Sequence, residues 1–154
     1  MRKELSAAEA VYYVVAQVLG AIVGVLAAHL MFEETVLQIS SKLRAGPAQW
    51  FSEWVAALGL VLTILRTLKA NRAAVAASVG LYITAAYWFT ASTSFANPAV
   101  TIARALSNTF AGIRPHDVAP FIIAQLAGAV VAAYACRWFV RGQHTVTSAQ
   151  VAAE

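Results

Sequence analysis

The hydrophobic pattern divides the chain into four long apolar runs and a shorter one. Ala10 to Phe32 is almost continuously apolar, opens after Glu9 and predicts a first membrane-crossing helix. Glu33 to Gln49 is polar, contains Gly46-Pro47 and predicts a loop outside the membrane. Trp50 to Leu68 predicts a second crossing, with Trp50 and Trp54 as interfacial anchors. A short basic turn marked by Arg66, Lys69 and Arg72 leads into a third, Ala73 to Thr90. Val118 to Val140 predicts the fourth, and Arg141 to Glu154 is expected to be a polar, disordered tail. Gly20 and Gly24 form a Gly-x-x-x-Gly pair in the first run. That spacing fits a close helix contact and two unrelated glycines about equally well.

The remaining run, Ser92 to Ser107, reads STSFANPAVTIARALS. Asn97 is a good helix N-cap and Pro98 suits the first helical position, so 97–107 predicts a short helix after a small, polar stretch. About ten helical residues give about 15 Å, half of a hydrocarbon core of roughly 30 Å. A capped half-length helix between crossings predicts a re-entrant segment that enters and leaves on one side. Irregular backbone survives at membrane depth only where protein buries it or a water-filled cavity adjoins it. The expected geometry therefore lines a pore.

In this setting Asn97-Pro98-Ala99 resembles the Asn-Pro-Ala box of the aquaporin and glycerol-facilitator family, the major intrinsic proteins. The resemblance runs from about Ala7 to Arg141 and matches the later part of a family member. It implies an all-α, aquaporin-like membrane protein in which residues 1–141 form a partial transmembrane domain and 142–154 a tail. A passive, cofactor-free channel for water and small neutral solutes is expected, in a bacterial inner membrane, with a tetramer as the family's assembly.

A repeat points the same way. Val14-Val15-Ala16-Gln17-Val18-Leu19-Gly20-Ala21 matches Ile122-Ile123-Ala124-Gln125-Leu126-Ala127-Gly128-Ala129 at a constant offset of 108. Glu9 and Asp117 align as acidic residues at two helix starts, where the dipole favours them. The two helices begin on opposite sides, so the repeat is inverted, and inverted repeats build transport sites from broken helices at the midplane. The same offset puts the counterpart of Asn97 eleven residues before Met1. The expectation is a truncated chain lacking two spans and a first Asn-Pro-Ala loop. A non-conducting fragment, or a partner subunit of complete channels, is the alternative.

Composition agrees with a membrane protein: 60% of the 154 residues are hydrophobic and 12% charged, about half the charged fraction of a soluble domain. The net charge of +4 is therefore read through topology and not as a nucleic-acid footprint. With the N-terminus cytoplasmic, Arg2, Lys3, Arg66, Lys69, Arg72, Arg137 and Arg141 lie inside, and Lys42, Arg44, Arg104 and Arg114 outside or in the outer half. That bias favours both termini in the cytoplasm, opposes dual insertion and has the Asn97 loop dip in from outside. The N-terminus carries no cleavable signal pattern. No metal site, cofactor or enzyme is expected: His29, His116 and His144 are scattered, Cys136 is alone, and Ser92 and Ser94 lack a base.

On the short helix, Asn97, Val100, Thr101 and Arg104 recur at helical spacing and are expected to share a pore-lining face. An amide donor at Asn97, with the helix's positive end, would orient a passing oxygen and repel protons and cations. Pro98 and Ala99 complete the box. Many family members carry Arg where this chain has Val100. The smaller apolar residue points to wider passage of neutral solutes, and Ala85 and Ser94 near the filter point the same way; resemblance to a bacterial branch of the family with Val here implies glycerol-like solutes or metalloid hydroxides such as arsenite. Arg104, one turn on, either restores charge at the mouth or snorkels to the interface. Glu53 is the one acid inside a crossing. By resemblance it accepts hydrogen bonds from the loop's backbone N–H groups; the alternative puts it at the interface beside Trp54. Gln17 and Gln125 are expected to bond half-helix backbone.

Overall fold

The computed structural model describes the backbone of residues 5–151 and the side chains of residues 5–139. Arg2, Lys3, the side chains of Arg141 and His144, and residues 152–154 lie outside the described residues. Five α-helices and one 3-10 turn follow in order, with no strand among the described residues.

Helix α1, Ala7–Met31, begins with a capping box in which Ser6 and Glu9 exchange hydrogen bonds of 2.8 and 3.2 Å. Helix α2, Pro47–Ala70, starts with Pro47 at its first position, where the missing N–H costs nothing. Gly46 before it sits at φ 103°, a conformation that only glycine adopts freely. Helix α3, Val75–Phe89, has 15 residues and follows a 3-10 turn over Arg72–Ala74. Turn and helix together reach about 28 Å, close to the hydrocarbon thickness. Among the described residues three helices are long and apolar enough to cross a membrane, Ala7–Met31, Pro47–Ala70 and Pro115–Phe139, and α3 is shorter than these.

Helix α4, Pro98–Arg104, has 7 residues, fewer than the run to Ser107 predicted. Its end is set by partners outside the helix. The Arg104 carbonyl takes the Ile113 N–H at 3.3 Å and the Ala105 carbonyl takes the Ser40 N–H at 2.8 Å, while residues 105–107 tighten into i→i−3 turns. Helix α5 runs Pro115–Val151, so the backbone is helical where a disordered tail was expected after Arg141.

Helix α5 lies against α2, and the contact is made close by Gly128, where a Cβ would come 2.3 Å from the Trp54 carbonyl oxygen. Helix α3 packs on α2 through Tyr82, whose hydroxyl donates to the Ala56 carbonyl at 3.0 Å. Helix α1 touches α4 alone among the helices. A Cβ at Gly20 or Gly24 would meet nothing within 4 Å, so the pair makes no close helix contact among the described residues. The buried aromatic centre is Phe95 against Phe121, with ring centroids 5.4 Å apart and Ile113 beside them.

Candidate functional site

The half-helix begins where the sequence places it. Asn97 is extended, at φ −151°, and its Oδ1 takes the Ala99 N–H at 2.8 Å. The Asn97 carbonyl receives the Thr101 N–H at 3.0 Å and the Thr101 hydroxyl at 2.9 Å. Capping uses only the amide oxygen. The Asn97 Nδ2 group has no hydrogen-bond partner among the described residues and is not sealed off, so a donor stays free at the helix head.

The loop before Asn97 is held in conformations that side chains avoid: Thr93, Ser94 and Ala96 have φ of 62°, 45° and 51°. Glu53, fully buried on α2, holds it. Its Oε1 accepts the Phe95 N–H and its Oε2 the Ala96 N–H, both at 2.9 Å. Burial and two loop hydrogen bonds place Glu53 in the core and not at the interface beside Trp54. Gln125 on α5 adds a third donor, 2.6 Å from Glu53 Oε2, and gives a second bond to the Thr101 hydroxyl at 2.8 Å. One buried chain of side chains thus joins α2, α5, the loop and α4.

That chain corrects two expectations. Thr101 is fully buried against Gln125 and does not line an open face; helical spacing put it beside Asn97, but the close approach of α5 claims its hydroxyl. Gln125 bonds side chains and not half-helix backbone. Gln17 is exposed on α1 with no hydrogen bond among the described residues, and α1 meets α4 alone among the helices.

Val100 and Arg104 do share an open surface. With Ala103 and Ser107 they face the second half of α1 across a cavity of about 620 Å3. Pro98 is half-buried at the helix start, and Ala99 is buried. Ser94 is buried with its hydroxyl unpartnered among the described residues. Ala85 is exposed on α3, which packs on α2 and has no contact with α4; the structure does not bring it to Val100.

Two residues at this site carry no sequence signal. Arg44, in the loop between α1 and α2, donates to the carbonyls of Ser92 at 2.7 Å and of Phe110 and Gly112 at 2.8 Å. It therefore ties the way into the half-helix to the way out, at one end of the bundle. Burial lowers its pKa from the usual guanidinium value, and the nearby Glu53 charge opposes that shift. The Arg44 backbone N–H also bonds Asp117 at 3.0 Å, at the head of α5. His29, buried near the end of α1, bonds the Val36 carbonyl through Nδ1 and the Ser107 hydroxyl through Nε2, each at 3.0 Å. A ring Nδ1 facing a carbonyl must carry a proton and donate it. Two cations stand over the Phe95 ring: the guanidinium carbons of Arg44 and Arg104 are 5.0 and 4.3 Å from its centre.

Against known proteins, the chain matches the Major intrinsic protein family over residues 1–94 and again over 68–154. It is 61% identical over 129 residues to Aquaglyceroporin AqpS of Rhizobium meliloti (strain 1021), which covers 84% of this chain and 55% of that protein. The chain thus spans about half the length of the curated relative it matches. No solved structure matches. The capped half-helix, the buried carboxyl that holds its loop and the apolar crossing helices are set in a chain whose whole length the family covers. It is an integral membrane protein and belongs to the major intrinsic protein family.

Proposed function

We propose that the chain forms the half-helix side of a passive channel for small uncharged solutes. The observation that carries this is the free Asn97 Nδ2 donor at the head of a half-helix, with Val100 one turn on facing the cavity. A hydrogen-bond donor there holds one oxygen of a passing solute, while the helix dipole opposes cations. Val100 leaves apolar width where a charged side chain would narrow the path, which favours glycerol-like molecules and metalloid hydroxides such as arsenous acid over water alone. The relative's name, an aquaglyceroporin, supports the glycerol class. Asn97, Val100 and Arg104 are the selectivity residues of this reading. Glu53 and Gln125 hold the loop. The basic residues favour cytoplasmic termini. A tetramer is the assembly the family suggests.

A second reading is a membrane subunit that conducts only beside a complementary partner. The exposed length of α1, with open Gly20 and Gly24, favours it. Stopped-flow swelling of vesicles holding the purified chain, with water, glycerol and arsenous acid, separates the two. Rates above empty vesicles support a channel, and none supports the subunit. In a conducting preparation, Val100→Phe is expected to fill the path beside α4 and lower glycerol passage at least about tenfold, a barrier increase of about 1.4 kcal/mol. Water passage should fall less, because water is narrower. Equal losses for both solutes would contradict the role given to Val100.

A further inference from the structure

The arginines at the two ends of the bundle differ in what they touch. Near the half-helix loop, Arg44 is spent on three carbonyls and Arg114 on Asp117, at 2.9 Å. Arg66 on α2, Arg72 on the 3-10 turn and Arg137 on α5 are exposed and make no hydrogen bond or ion pair among the described residues. These three share the opposite end. Helices α2 and α5 start together, since the Arg44 N–H just before α2 bonds Asp117 at the head of α5. They then run side by side, with Gly128 against Trp54.

Depth and charge at this end are specific. At 1.5 Å per residue, Arg66 stands about 28 Å along α2 from Pro47, and Arg137 about 33 Å along α5 from Pro115. A hydrocarbon core is roughly 30 Å thick, so both guanidinium groups reach the headgroups of the far leaflet. Tyr134, Trp138 and Phe139 are exposed at the same level of α5, as a belt at a lipid boundary requires. Among the described residues the acid at this end is Glu9, at the start of α1, and Ser6 already holds it. Lys69 adds a fourth cation. The excess of positive charge is therefore fixed, and three of the four cations carry planar forks that match the paired oxygens of a phosphate.

We propose that this end is a binding surface for anionic phospholipid, with Arg66, Arg72 and Arg137 taking headgroup phosphates. The acyl chains lie along the apolar, exposed faces of α3 and α5. Headgroup depth and the flanking aromatic side chains select a lipid over a soluble polyanion. Arg72 sits in the turn that joins α2 to α3, and α3 packs on α2 alone among the helices, so a bound headgroup pins the start of this short helix. The surface does not depend on solute passage.

The test titrates phosphatidylglycerol into the purified full chain in neutral detergent micelles and counts bound lipid by native mass spectrometry. Arg66→Gln, Arg72→Gln and Arg137→Gln should each weaken binding about fivefold, and the triple variant on the order of a hundredfold. All three side chains are exposed, so the variants should keep the lipid-free thermal midpoint. Phosphatidylglycerol should raise that midpoint in the parent chain but not in the triple variant, and phosphatidylcholine should raise it in neither. The triple lysine variant keeps the charge without the forks and should recover part of the binding. Lys42→Gln removes an exposed cation at the opposite end and should leave binding unchanged. Equal binding by the parent chain and the triple glutamine variant overturns the proposal. So does an equal loss in Lys42→Gln, which would mean that net charge alone attracts the lipid. Displacement of the lipid by millimolar inorganic phosphate also overturns it, because the end would then be a site for the free anion.

Discussion

Replacing Glu53 with leucine is expected to release the loop before Asn97 and abolish solute passage. The substitution leaves the Phe95 and Ala96 N–H groups and one of the two N–H bonds of the Gln125 amide without an acceptor in the buried core, while its bond to Thr101 remains. Each buried donor left unsatisfied costs about 1–3 kcal/mol, so the total is on the order of 3–5 kcal/mol. For a chain of this size that lowers the thermal midpoint by about 10 °C. The loop is the part that gives way, because Thr93, Ser94 and Ala96 sit at positive φ and relax once nothing holds them. Glu53→Gln keeps the volume and one acceptor oxygen, and should fall between. An unchanged midpoint together with full glycerol passage in Glu53→Leu would contradict the account.

The second large effect is expected at Arg44. Its three hydrogen bonds tie Ser92 on the inward limb to Phe110 and Gly112 on the outward limb. Hydrogen bonds from a charged donor contribute about 1.5–3 kcal/mol each, and partial solvent access reduces that, so Arg44→Met should cost about 3–5 kcal/mol. The cost should be local as well as global. Amide hydrogen exchange over residues 92–96 and 110–113 is expected to quicken, while the α2–α5 contact around Gly128 stays protected. Arg44→Lys keeps the charge but loses the planar fork, so it reaches one or two carbonyls at once and recovers only part of the loss. Full recovery by lysine, or unaltered exchange in Arg44→Met, would show that the tie is unimportant.

These two residues also mark how far the sequence reaches. Glu53 was legible because an acid alone in an apolar run demands a partner, and the irregular stretch before Asn97 had N–H groups to offer. The start of the half-helix was legible for a local reason, the cap-then-proline pair. Its end was not. Helix α4 stops at Arg104 because Ile113 and Ser40 take the carbonyls of Arg104 and Ala105, contacts made across nine residues and across sixty-five. Thr101 was misplaced for a related reason: helical spacing gives a residue's angle but not which neighbour stands there, and Gln125 stood there. Ala85 could be numbered toward the half-helix, yet α3 turns on α2 and leaves it apart. Arg44 left no trace in the pattern at all, since its partners are backbone carbonyls that any residue would supply.

The central claim is that residues 98–104 enter the membrane and return without crossing. Impermeant maleimide labelling measures it directly, in sealed vesicles of uniform orientation, on single-cysteine chains in a Cys136→Ser background. Ala91 and Phe110 flank the half-helix and are exposed, and Asn71 is exposed between α2 and α3. Ala91→Cys and Phe110→Cys are predicted to react from the same side, and Asn71→Cys from the other. Reaction of Ala91→Cys and Phe110→Cys from opposite sides would mean that the segment crosses, and the channel account would fall with it.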